Sequence, residues 1–521
     1  MRYLNNKTGT AASDSSAELI NMPVSASLQE NLDRLSVLLE SCSDAVIREF
    51  SFGEPYRKGL IVFFDGLVDK KQIESNLLKP LLLELNMLNN EALQLQSNTN
   101  IISHVQEHIL SLADLKELQT LQEVCHHITS GDTVFLIDGC STGLAAGTRS
   151  WQGRPVQTPE NEVMVFGPKE GLSETLRFNT AILRRRLKST RFKIDSLVLG
   201  RISKTDVAVC YIEGIAPPDL VKEVKARLEK IDIDAILDTG YLAELIADYK
   251  WTIFTQTEHT EKPDRICGQL LEGKVCLMVD GSPMALVLPI SFPEYLISPE
   301  DYYIHFIPAS LFRMLRFIAF TLALTLPSLY VALISYHHEM IPTSLLLTIT
   351  ATRQGVPFPA FMEALLLEAT FEMLREAGLR LPRAVGPAVS IVGALIIGDA
   401  AVRAGLVSTP MVVVVAFTGI ASFVSPSYNA GIIIRIVRFL FLFSAALLGF
   451  LGIIITFILL LLRMASLSSF GLPYMSPIAP FNLQQMGDIL VRRPWFKSVK
   501  RPFLDGMENV TRQKRPADNG R

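Results

Sequence analysis

Three long stretches of this chain contain no charged residue, and they limit its fold more than any other feature. They cover residues 317–335, 404–434 and 439–462. A helix needs about 20 apolar residues to cross the hydrocarbon core of a bilayer, and a charge within it opposes insertion. One such run could be a buried helix of a large soluble protein, but three within one segment favour a membrane. We therefore predict a helical membrane domain over residues 306–465, with four to six membrane segments.

Basic residues near these runs bear on their orientation. Arg313 and Arg316 come just before the first run, which predicts that the large N-terminal half is cytoplasmic. Arg435 and Arg438 indicate a further cytoplasmic loop, and the basic C-terminal tail favours a cytoplasmic C-terminus. Only one apolar run separates those two basic clusters. Either one element is then re-entrant or interfacial, or one cluster lies on the other side.

The net charge of −3 is distributed unevenly over the 521 residues. Residues 306–481 have ten Lys and Arg against six Asp and Glu, and residues 482–521 have nine against four. Residues 1–305 therefore hold a net charge of −12, which disfavours nucleic-acid binding by that half. The six cysteines all lie in this half without a metal-type spacing, so we expect reduced thiols, no metal and no other cofactor. The opening MRYLNNKTGTAASDSS has no apolar core, so we expect no cleavable signal peptide.

The N-terminal half contains two pairs of similar stretches. GLIVFFDGLVDKKQIESNLLKPL, from Gly59, resembles DVAVCYIEGIAPPDLVKEVKARL, from Asp206. Each is an apolar β-rich run, then an acidic residue and glycine, then an amphipathic helix. SGDTVFLIDGCSTGLAAGTR and EGKVCLMVDGSPMALVLPIS form the second pair, and the two offsets are 148 and 142 residues. Chance similarity is the alternative, but we predict two copies of one α/β unit.

These patterns divide the chain outside the membrane domain into five parts. We predict a disordered tail over residues 1–28, a first α/β subdomain over 29–156 and a second over 193–305. Residues 157–192 form a connector between them. Residues 466–521 form a proline-containing strap and a basic tail, whose cations suit anionic membrane lipid.

The connector contains VMVFGPKEGLSETLRFNTAILRRR, from Val163. Its glycine-containing turn lacks the Gly-Lys-Ser/Thr ending of a Walker loop and does not match the dinucleotide fingerprint. Its helix ends in three arginines, which the helix dipole alone could explain; the alternative is a contact that couples two parts of the protein. The chain shows no Ser-His-Asp set and no paired-carboxylate spacing, so we do not expect an enzyme. The coupling candidates are Gly167, Pro168, Lys169, Glu170, Gly171, Arg184, Arg185 and Arg186.

This connector resembles a segment of the A subunits of bacterial spore germinant receptors. That segment reads Gly-Pro-Arg-Glu-Gly-Phe, followed by Asn-Thr and a run of arginines; here Lys169 replaces the usual arginine and Leu172 the usual aromatic residue. TRQGVPFPAFMEALLLEATFEMLREAGLRLP, VGPAVSIVGALIIGDAAVRAGLVS and SSFGLPYMSPIAP extend the resemblance over about residues 30–490. The matching connector residues are Gly167, Pro168, Glu170, Gly171, Asn179, Thr180, Arg184, Arg185 and Arg186.

The resemblance implies a nutrient receptor in the inner membrane of dormant spores. In such receptors the A subunit acts with a transporter-like B subunit, which binds the nutrient, and with a lipoprotein C subunit. The resemblance also implies self-association, as a pentamer, into an ion channel that opens when nutrient binds and so starts germination. A secondary transporter or permease is the alternative, although the membrane block shows no internal repeat.

A stripe of small residues recurs every four positions near the middle of the membrane domain. Small side chains let membrane helices approach closely, either within one chain or between copies around a pore. The adjoining apolar turn is a candidate constriction that gates by dewetting. Asp399 either pairs with Arg403 or contributes to a ring of carboxylates that favours cations. The pore and gate candidates are Gly386, Ser390, Ala394, Leu395, Ile396, Ile397, Gly398 and Asp399.

Residues 357–378 predict a second membrane-associated element, with a helix break at Pro357 and Pro359. Glu363 lies on its apolar face, and Arg353 is its candidate partner; we add both to the coupling candidates. The opposite arc is interpreted as a solvated or interfacial face, so a plain interfacial helix is the alternative. That arc consists of Glu368, Glu372, Arg375 and Glu376.

Overall fold

The computed structural model describes residues 19–52, 56–84, 114–150, 159, 162, 164–380, 396–482, 486–502, 504 and 506–513. The chain divides into two compact units that alternate along the sequence. We name them the sheet unit and the helical unit. Of the tail that we expect to be disordered, residues 1–18 lie outside the described part. The sheet unit consists of Met1–Ala247, His259–Pro289 and Val499–Lys514, and the helical unit of Asp248–Glu258, Ile290–Ser498 and Arg515–Arg521.

The N-terminal half alternates strands and helices. Its strands are β1 (Ala45–Phe52), β2 (Arg57–Phe64), β3 (Leu115–Leu118), β4 (Thr133–Ile137), β5 (Gly143–Ala146), β6 (Phe192–Leu199), β7 (Thr205–Ile212), β8 (Glu258–Thr260), β9 (Val275–Val279) and β10 (Ala285–Leu288). Its helices are α1 (Leu28–Leu38), α2 (Lys70–Ile73, continued by the π-helical turns Glu74–Leu78 and Pro80–Glu84), α3 (Leu121–Ser130), α4 (Leu176–Arg186), α5 (Pro218–Glu229), α6 (Thr239–Leu245) and α7 (Pro263–Leu271).

These strands form two five-stranded sheets with the same strand order. The first has the order β1-β2-β4-β5-β3 and the second β6-β7-β9-β10-β8. Every strand pair of the first sheet is antiparallel, as are the β6-β7, β7-β9 and β9-β10 pairs of the second. Equivalent strands begin at Arg57 and Thr205, and at Thr133 and Val275, which are 148 and 142 residues apart. The structure thus confirms the prediction of two similar α/β subdomains.

Strand β4 shows how the apolar runs of this half are used. All five of its residues are buried, because α2 covers one face of the sheet while α1 and α3 cover the other. Helix α3 begins at a capping box, in which Thr120 and Glu123 bond each other's backbone N–H groups. It ends at Gly131, whose φ of +94° suits glycine.

The helical unit contains seven α-helices in its described residues. Helices α8 and α13 are long and apolar enough to cross a membrane, and α12 and α14 are shorter apolar helices. The expected break at Pro357 and Pro359 separates α9 from α10. The helices are α8 (Phe306–Tyr336), α9 (Thr343–Arg353), α10 (Ala360–Arg380), α11 (Ala401–Arg403), α12 (Thr409–Phe423), α13 (Tyr428–Leu448) and α14 (Phe450–Ser466), with a π-helical turn Ile396–Ala400 before α11 and a small hairpin, Ser468–Ser469 with Leu472–Pro473, after α14.

Contacts at the two ends of α8 show in which direction the neighbouring helices run relative to it. We name the end where α8 begins the proximal end and the other the distal end. At the distal end the Tyr336 hydroxyl donates to the carbonyl of Leu447 at 3.3 Å, and the rings of His337 and Phe450 are 4.9 Å apart. Helix α13 therefore ends, and α14 begins, at the distal end.

Aromatic contacts mark the proximal end. The ring of Phe292 lies 5.4 Å from that of Phe320, in the first half of α8, and 6.2 Å from that of Tyr474. Since Tyr474 follows α14 closely in sequence, α14 returns the chain to the proximal end. Helices α13 and α14 form a hairpin.

Helices α10 and α12 run in the direction opposite to α8. Helix α10 begins beside Val331, where Ala364 is packed into the same cluster. Further along α10, the guanidinium of Arg375 donates to the Ser422 hydroxyl at 2.9 Å, and the end of α12 packs on the first half of α8. Both helices therefore start near the distal end and finish towards the proximal end.

The uncharged run 439–462 is broken at Gly449, which joins α13 to α14. Gly449 has a φ of +59°, which favours glycine. A Cβ on Gly452 would lie 2.1 Å from the carbonyl oxygen of Ser444, so only glycine allows this close approach of the two helices. The run therefore turns back on itself, and the two basic clusters that flank it need not lie on opposite sides.

Candidate functional site

The connector loop is docked onto the second subdomain. Gly167 has a φ of +109°, and the carbonyl oxygen of Pro168 accepts a 3.0 Å hydrogen bond from Nζ of the buried Lys262, just before α7. The N–H of Leu172 donates to the carbonyl of Glu261 at 2.8 Å. Backbone bonds and a buried cation therefore hold the loop, while Lys169 is exposed and Gly171 is buried.

Glu170 binds the end of the connector helix α4. Its Oε2 accepts a 2.6 Å hydrogen bond from Arg186, and its Oε1 accepts one from Arg185. Burial alone would raise the pKa of Glu170, but the hydrogen bonds and charges of the two arginines lower it below its ordinary value. The carboxylate thus fills the place at these guanidinium groups that a phosphate would need.

Arg184 joins the two subdomains. Its Nε and Nη2 donate to the carboxylate of Asp44 at 3.0 and 2.8 Å, and its Nη1 donates to the carbonyl of Phe192 at 2.7 Å. Asp44 precedes β1 of the first sheet, whereas Phe192 begins β6 of the second. The guanidinium also lies 4.3 Å from the ring centre of Phe64, and the side chain is wholly buried. One cation therefore binds a group from each subdomain.

Backbone pairing reinforces this junction. The N–H of Ser43 donates to the carbonyl of Ile194 at 2.9 Å, and the N–H of Ile194 donates to that of Ser41 at 3.0 Å. Lys193 Nζ donates to the carbonyls of Leu38 and Glu40 at 3.2 and 2.7 Å. The segment before β1 is thus hydrogen-bonded to β6, and the two subdomains form one continuous structure around Arg184.

The thiols of the sheet unit are all buried and unpaired with one another. Burial raises the pKa of Cys125 and of Cys267 to about 12, so both are protonated and poorly nucleophilic near neutral pH. Within the described residues no group of three or more His, Cys, Asp or Glu side chains could hold a metal ion.

In the helical unit, Glu363 has the partner that its position suggested. Its Oε1 lies 3.1 Å from Nη2 of Arg353, and its Oε2 accepts hydrogen bonds from the N–H and the hydroxyl of Ser408, at 2.8 and 2.7 Å. Ser408 is the N-cap of α12, so this buried carboxylate links the end of α9, the start of α10 and the start of α12.

The interpretation of Glu368 as part of a solvated face is wrong. Glu368 is 1% exposed, and one of its carboxylate oxygens lies 3.0 Å from Nη2 of Arg438, which also donates to Glu372 at 2.8 Å. Arg375 lies 3.6 Å from Glu372 along the same helix. Arg438 and Arg435 accordingly lie within α13, facing α10, and do not form the loop that we predicted.

The pore and gate candidates are only partly within the described residues. Gly386, Ser390, Ala394 and Leu395 lie outside them. Ile396, Ile397, Gly398 and Asp399 lie in the π-helical turn before α11, where a Cβ on Gly398 would meet nothing within 4 Å. Asp399 accepts a 2.7 Å hydrogen bond from Arg403, and both side chains are exposed.

The sequence did not reveal several residues that bind the candidate site residues. Asp44, Lys262 and Arg438 each bind groups far away in the chain, so no local pattern singles them out. For Arg438 a signal existed, because a cation and the acids Glu368 and Glu372 all occur in otherwise apolar elements, where unpaired charges are costly.

The chain was compared with known proteins. The family model described as "Bacillus/Clostridium GerA spore germination protein" matches residues 33–504. "Spore germination protein KA" of Bacillus subtilis (strain 168) is 42% identical over 491 residues, 94% of this chain and 89% of that one. "Uncharacterized membrane protein YfkQ" of the same strain is 41% identical over 92% of this chain and 91% of that one, and "Spore germination protein GerLA" of Bacillus cereus is 36% identical over 91% and 95%.

A solved structure was also matched. It is titled "Crystal structure of the N-terminal domain of the A subunit of the Bacillus megaterium spore germinant receptor GerK3". The match is 31% identical, covers 52% of this chain and 99% of that one, and has a TM-score of 0.41.

Proposed function

The chain belongs to the GerA family of spore germination proteins, and on that premise we propose that it is the channel-forming A subunit of a nutrient receptor. In this proposal it self-associates, as a pentamer, in the spore inner membrane. A transporter-like B subunit binds the nutrient, a lipoprotein C subunit completes the complex, and the channel then opens to release ions. The chain itself catalyses no reaction.

The helical unit supports a membrane position. Helix α8 has 31 residues and so is about 46 Å long, more than the roughly 30 Å of a hydrocarbon core. Arg463, at the end of α14, and Arg492, Arg493 and Lys497 of the same unit belong to the proximal end. The positive-inside rule therefore favours a cytoplasmic proximal end, together with a cytoplasmic N-terminal half.

The order of the helices carries the channel proposal. Helix α10 runs towards the proximal end, whereas α12 begins at the distal end, where Ser408 binds Glu363. The described residues Arg380 and Ser408 therefore belong to opposite ends of the bundle. In this proposal the stripe of small residues from Gly386 to Gly398 packs against neighbouring copies and lines the pore.

In this proposal the apolar turn of Leu395, Ile396 and Ile397 closes the pore, because apolar walls cannot replace the hydration of an ion. Asp399 lies next to that turn. Five exposed carboxylates from five copies would favour cations. The connector loop and the Arg353–Glu363 contact couple nutrient binding to this turn.

The test is ion release from purified spores without any nutrient. Ile396→Ala or Ile397→Ala should lower the barrier and release ions, whereas Leu462→Ala, at an exposed position of α14, should not. The amount and size of the oligomer in the membrane are measured in parallel. Normal dormancy in both gate variants, with a normal amount of oligomer, would remove this turn as the gate. A monomer would favour a transporter.

A further inference from the structure

A short C-terminal segment, residues 486–498, is docked on the first turns of α8. The Tyr302 hydroxyl donates to Oδ2 of Asp488 at 2.9 Å, and Arg313 Nη1 lies 3.3 Å from Oδ1 of the same carboxylate. The N–H of Arg492 donates to the Ser310 hydroxyl at 3.1 Å. We name these residues the docked segment; its contacts fix it at the proximal end.

The docked segment has a polar inner side and an apolar outer side. Arg492 is buried, with its guanidinium 5.8 Å from the ring centre of Tyr302, while Trp495 donates from Nε1 to the Tyr302 carbonyl at 3.4 Å. Outside, Trp495 and Phe496 remain 48% and 58% exposed. A large aromatic pair is thus held in a fixed place with one side uncovered.

Exposed apolar side chains also lie on the first turns of α8. Leu311 and Phe312, which follow Ser310 on the helix, are exposed, as are Leu315 and Ile318 one to two turns further on. From Ser310 to the start of the uncharged run at Phe317 the helix rises about 10 Å. The docked segment therefore lies about one headgroup layer outside the apolar part of the helix.

The cations of the docked segment lie beside its aromatic pair. Lys497 is exposed in the same 3-10 turn as Trp495 and Phe496, and Arg493, two residues before that turn, is half-buried. Tryptophan is enriched at the level of lipid headgroups, and lysine or arginine next to an apolar patch is attracted by anionic lipid.

We infer that the docked segment is an interfacial anchor that binds anionic lipid headgroups, with Trp495 and Phe496 within the headgroup layer and Arg493 and Lys497 at the lipid phosphates. This inference rests on the proposed membrane position of the helical unit. A lipid surface is favoured over a protein partner because the aromatic pair and the cations lie at the proximal end of α8, just outside its uncharged run.

The test uses the full-length chain in phosphatidylcholine vesicles with and without phosphatidylglycerol. Trp151→Phe with Trp251→Phe leaves Trp495 as the only tryptophan. Its fluorescence should be quenched by lipids brominated near the headgroup and protected from acrylamide, and adding phosphatidylglycerol should increase the shallow quenching by about two-fold. Arg493→Gln with Lys497→Gln should abolish that increase. Acrylamide quenching without lipid quenching, or no effect of the two substitutions, would overturn the inference.

Two probes in a tryptophan-free chain separate this outcome from failure of the proposed function. Phe457→Trp, in α14, should be quenched by deeply brominated lipid if the helical unit is inserted. Tyr56→Trp, at an exposed position of the first subdomain, should remain aqueous. An inserted Phe457→Trp probe with an aqueous Trp495 would reject the anchor alone, whereas an aqueous Phe457→Trp probe would reject the membrane position itself.

Discussion

The guanidinium of Arg184 donates two hydrogen bonds to the carboxylate of Asp44, which lies 140 residues earlier in the chain, and neither side chain reaches solvent. Arg184→Met would leave Asp44 buried without its cation. We expect a loss of about 3–5 kcal/mol in the free energy of unfolding, the range for removing one member of a buried ion pair. Thermal unfolding of the purified full-length chain in detergent measures this loss.

The matched control for this prediction is Arg201→Gln. Arg201 forms an exposed pair with Asp232 at 2.7 Å, so its removal should change stability by about 0–1 kcal/mol. Equal effects of Arg184→Met and Arg201→Gln would show that the junction between the subdomains does not depend on the buried pair.

Glu170 makes a prediction about pH. In the folded protein the pKa of Glu170 is lowered below its ordinary value of 4.5. The ionised carboxylate therefore stabilises the fold at every pH above the pKa that Glu170 has in the unfolded chain. This stabilisation is lost as the pH falls from about 4.5 through the lower folded pKa. Glu170→Gln should reduce the melting temperature at pH 7 and flatten its acid dependence. If the melting temperature of Glu170→Gln fell at acid pH as steeply as that of the unmodified chain, Glu170 would not be the carboxylate with the lowered pKa.

The α13–α14 hairpin makes a prediction about two glycines. Gly452→Ala would place a Cβ against the Ser444 carbonyl and should destabilise the helical unit by about 1–3 kcal/mol. Gly431 lies in the first turn of α13, and a Cβ added there would meet nothing within 4 Å. Gly431→Ala should therefore be neutral or stabilising by about 0.5–1 kcal/mol. Thermal stability of the detergent-purified chain distinguishes the two. If Gly452→Ala left the thermal stability unchanged, α13 and α14 would not approach each other as closely as the structure shows.

The buried acids of α10 make the fourth prediction. Glu363→Ala removes the bonds to Ser408 and Arg353, and Glu368→Gln weakens the pairing of the buried Arg438, so both should lower stability by about 1–3 kcal/mol. Asp399→Asn, which breaks an exposed pair, is the control and should change stability by less than about 1 kcal/mol. Abundance of each variant in the membrane is the measurement. A loss at Glu363 with none at Glu368 would restore the interpretation of Glu368 as solvated.

The two similar subdomains could be predicted from the sequence because strand runs, acidic-glycine turns and helix starts are local patterns, and each occurs twice in one order. Glu363 was also predictable, since one acid on an apolar face needs a partner and Arg353 is close in sequence. Glu368 was not, because a helical wheel treats α10 alone and cannot show that Arg438 of α13 covers its polar arc. The break at Gly449 was missed for a related reason. A glycine within an apolar run is common in membrane helices, and only the positive φ of Gly449 and the close approach of Gly452 to Ser444 reveal the turn.

The contact between Tyr302 and Asp488 limits the path that this chain can take through its helical bundle. It requires the chain to enter and leave the helical bundle at the same end, so the number of passes through the bundle must be even. Loss or gain of a single helix would carry Asp488 to the far end, away from Tyr302, and Arg313 would then keep its ion pair with Asp301 but lose the one with Asp488. A helix could therefore be added to or removed from this bundle only together with a second one.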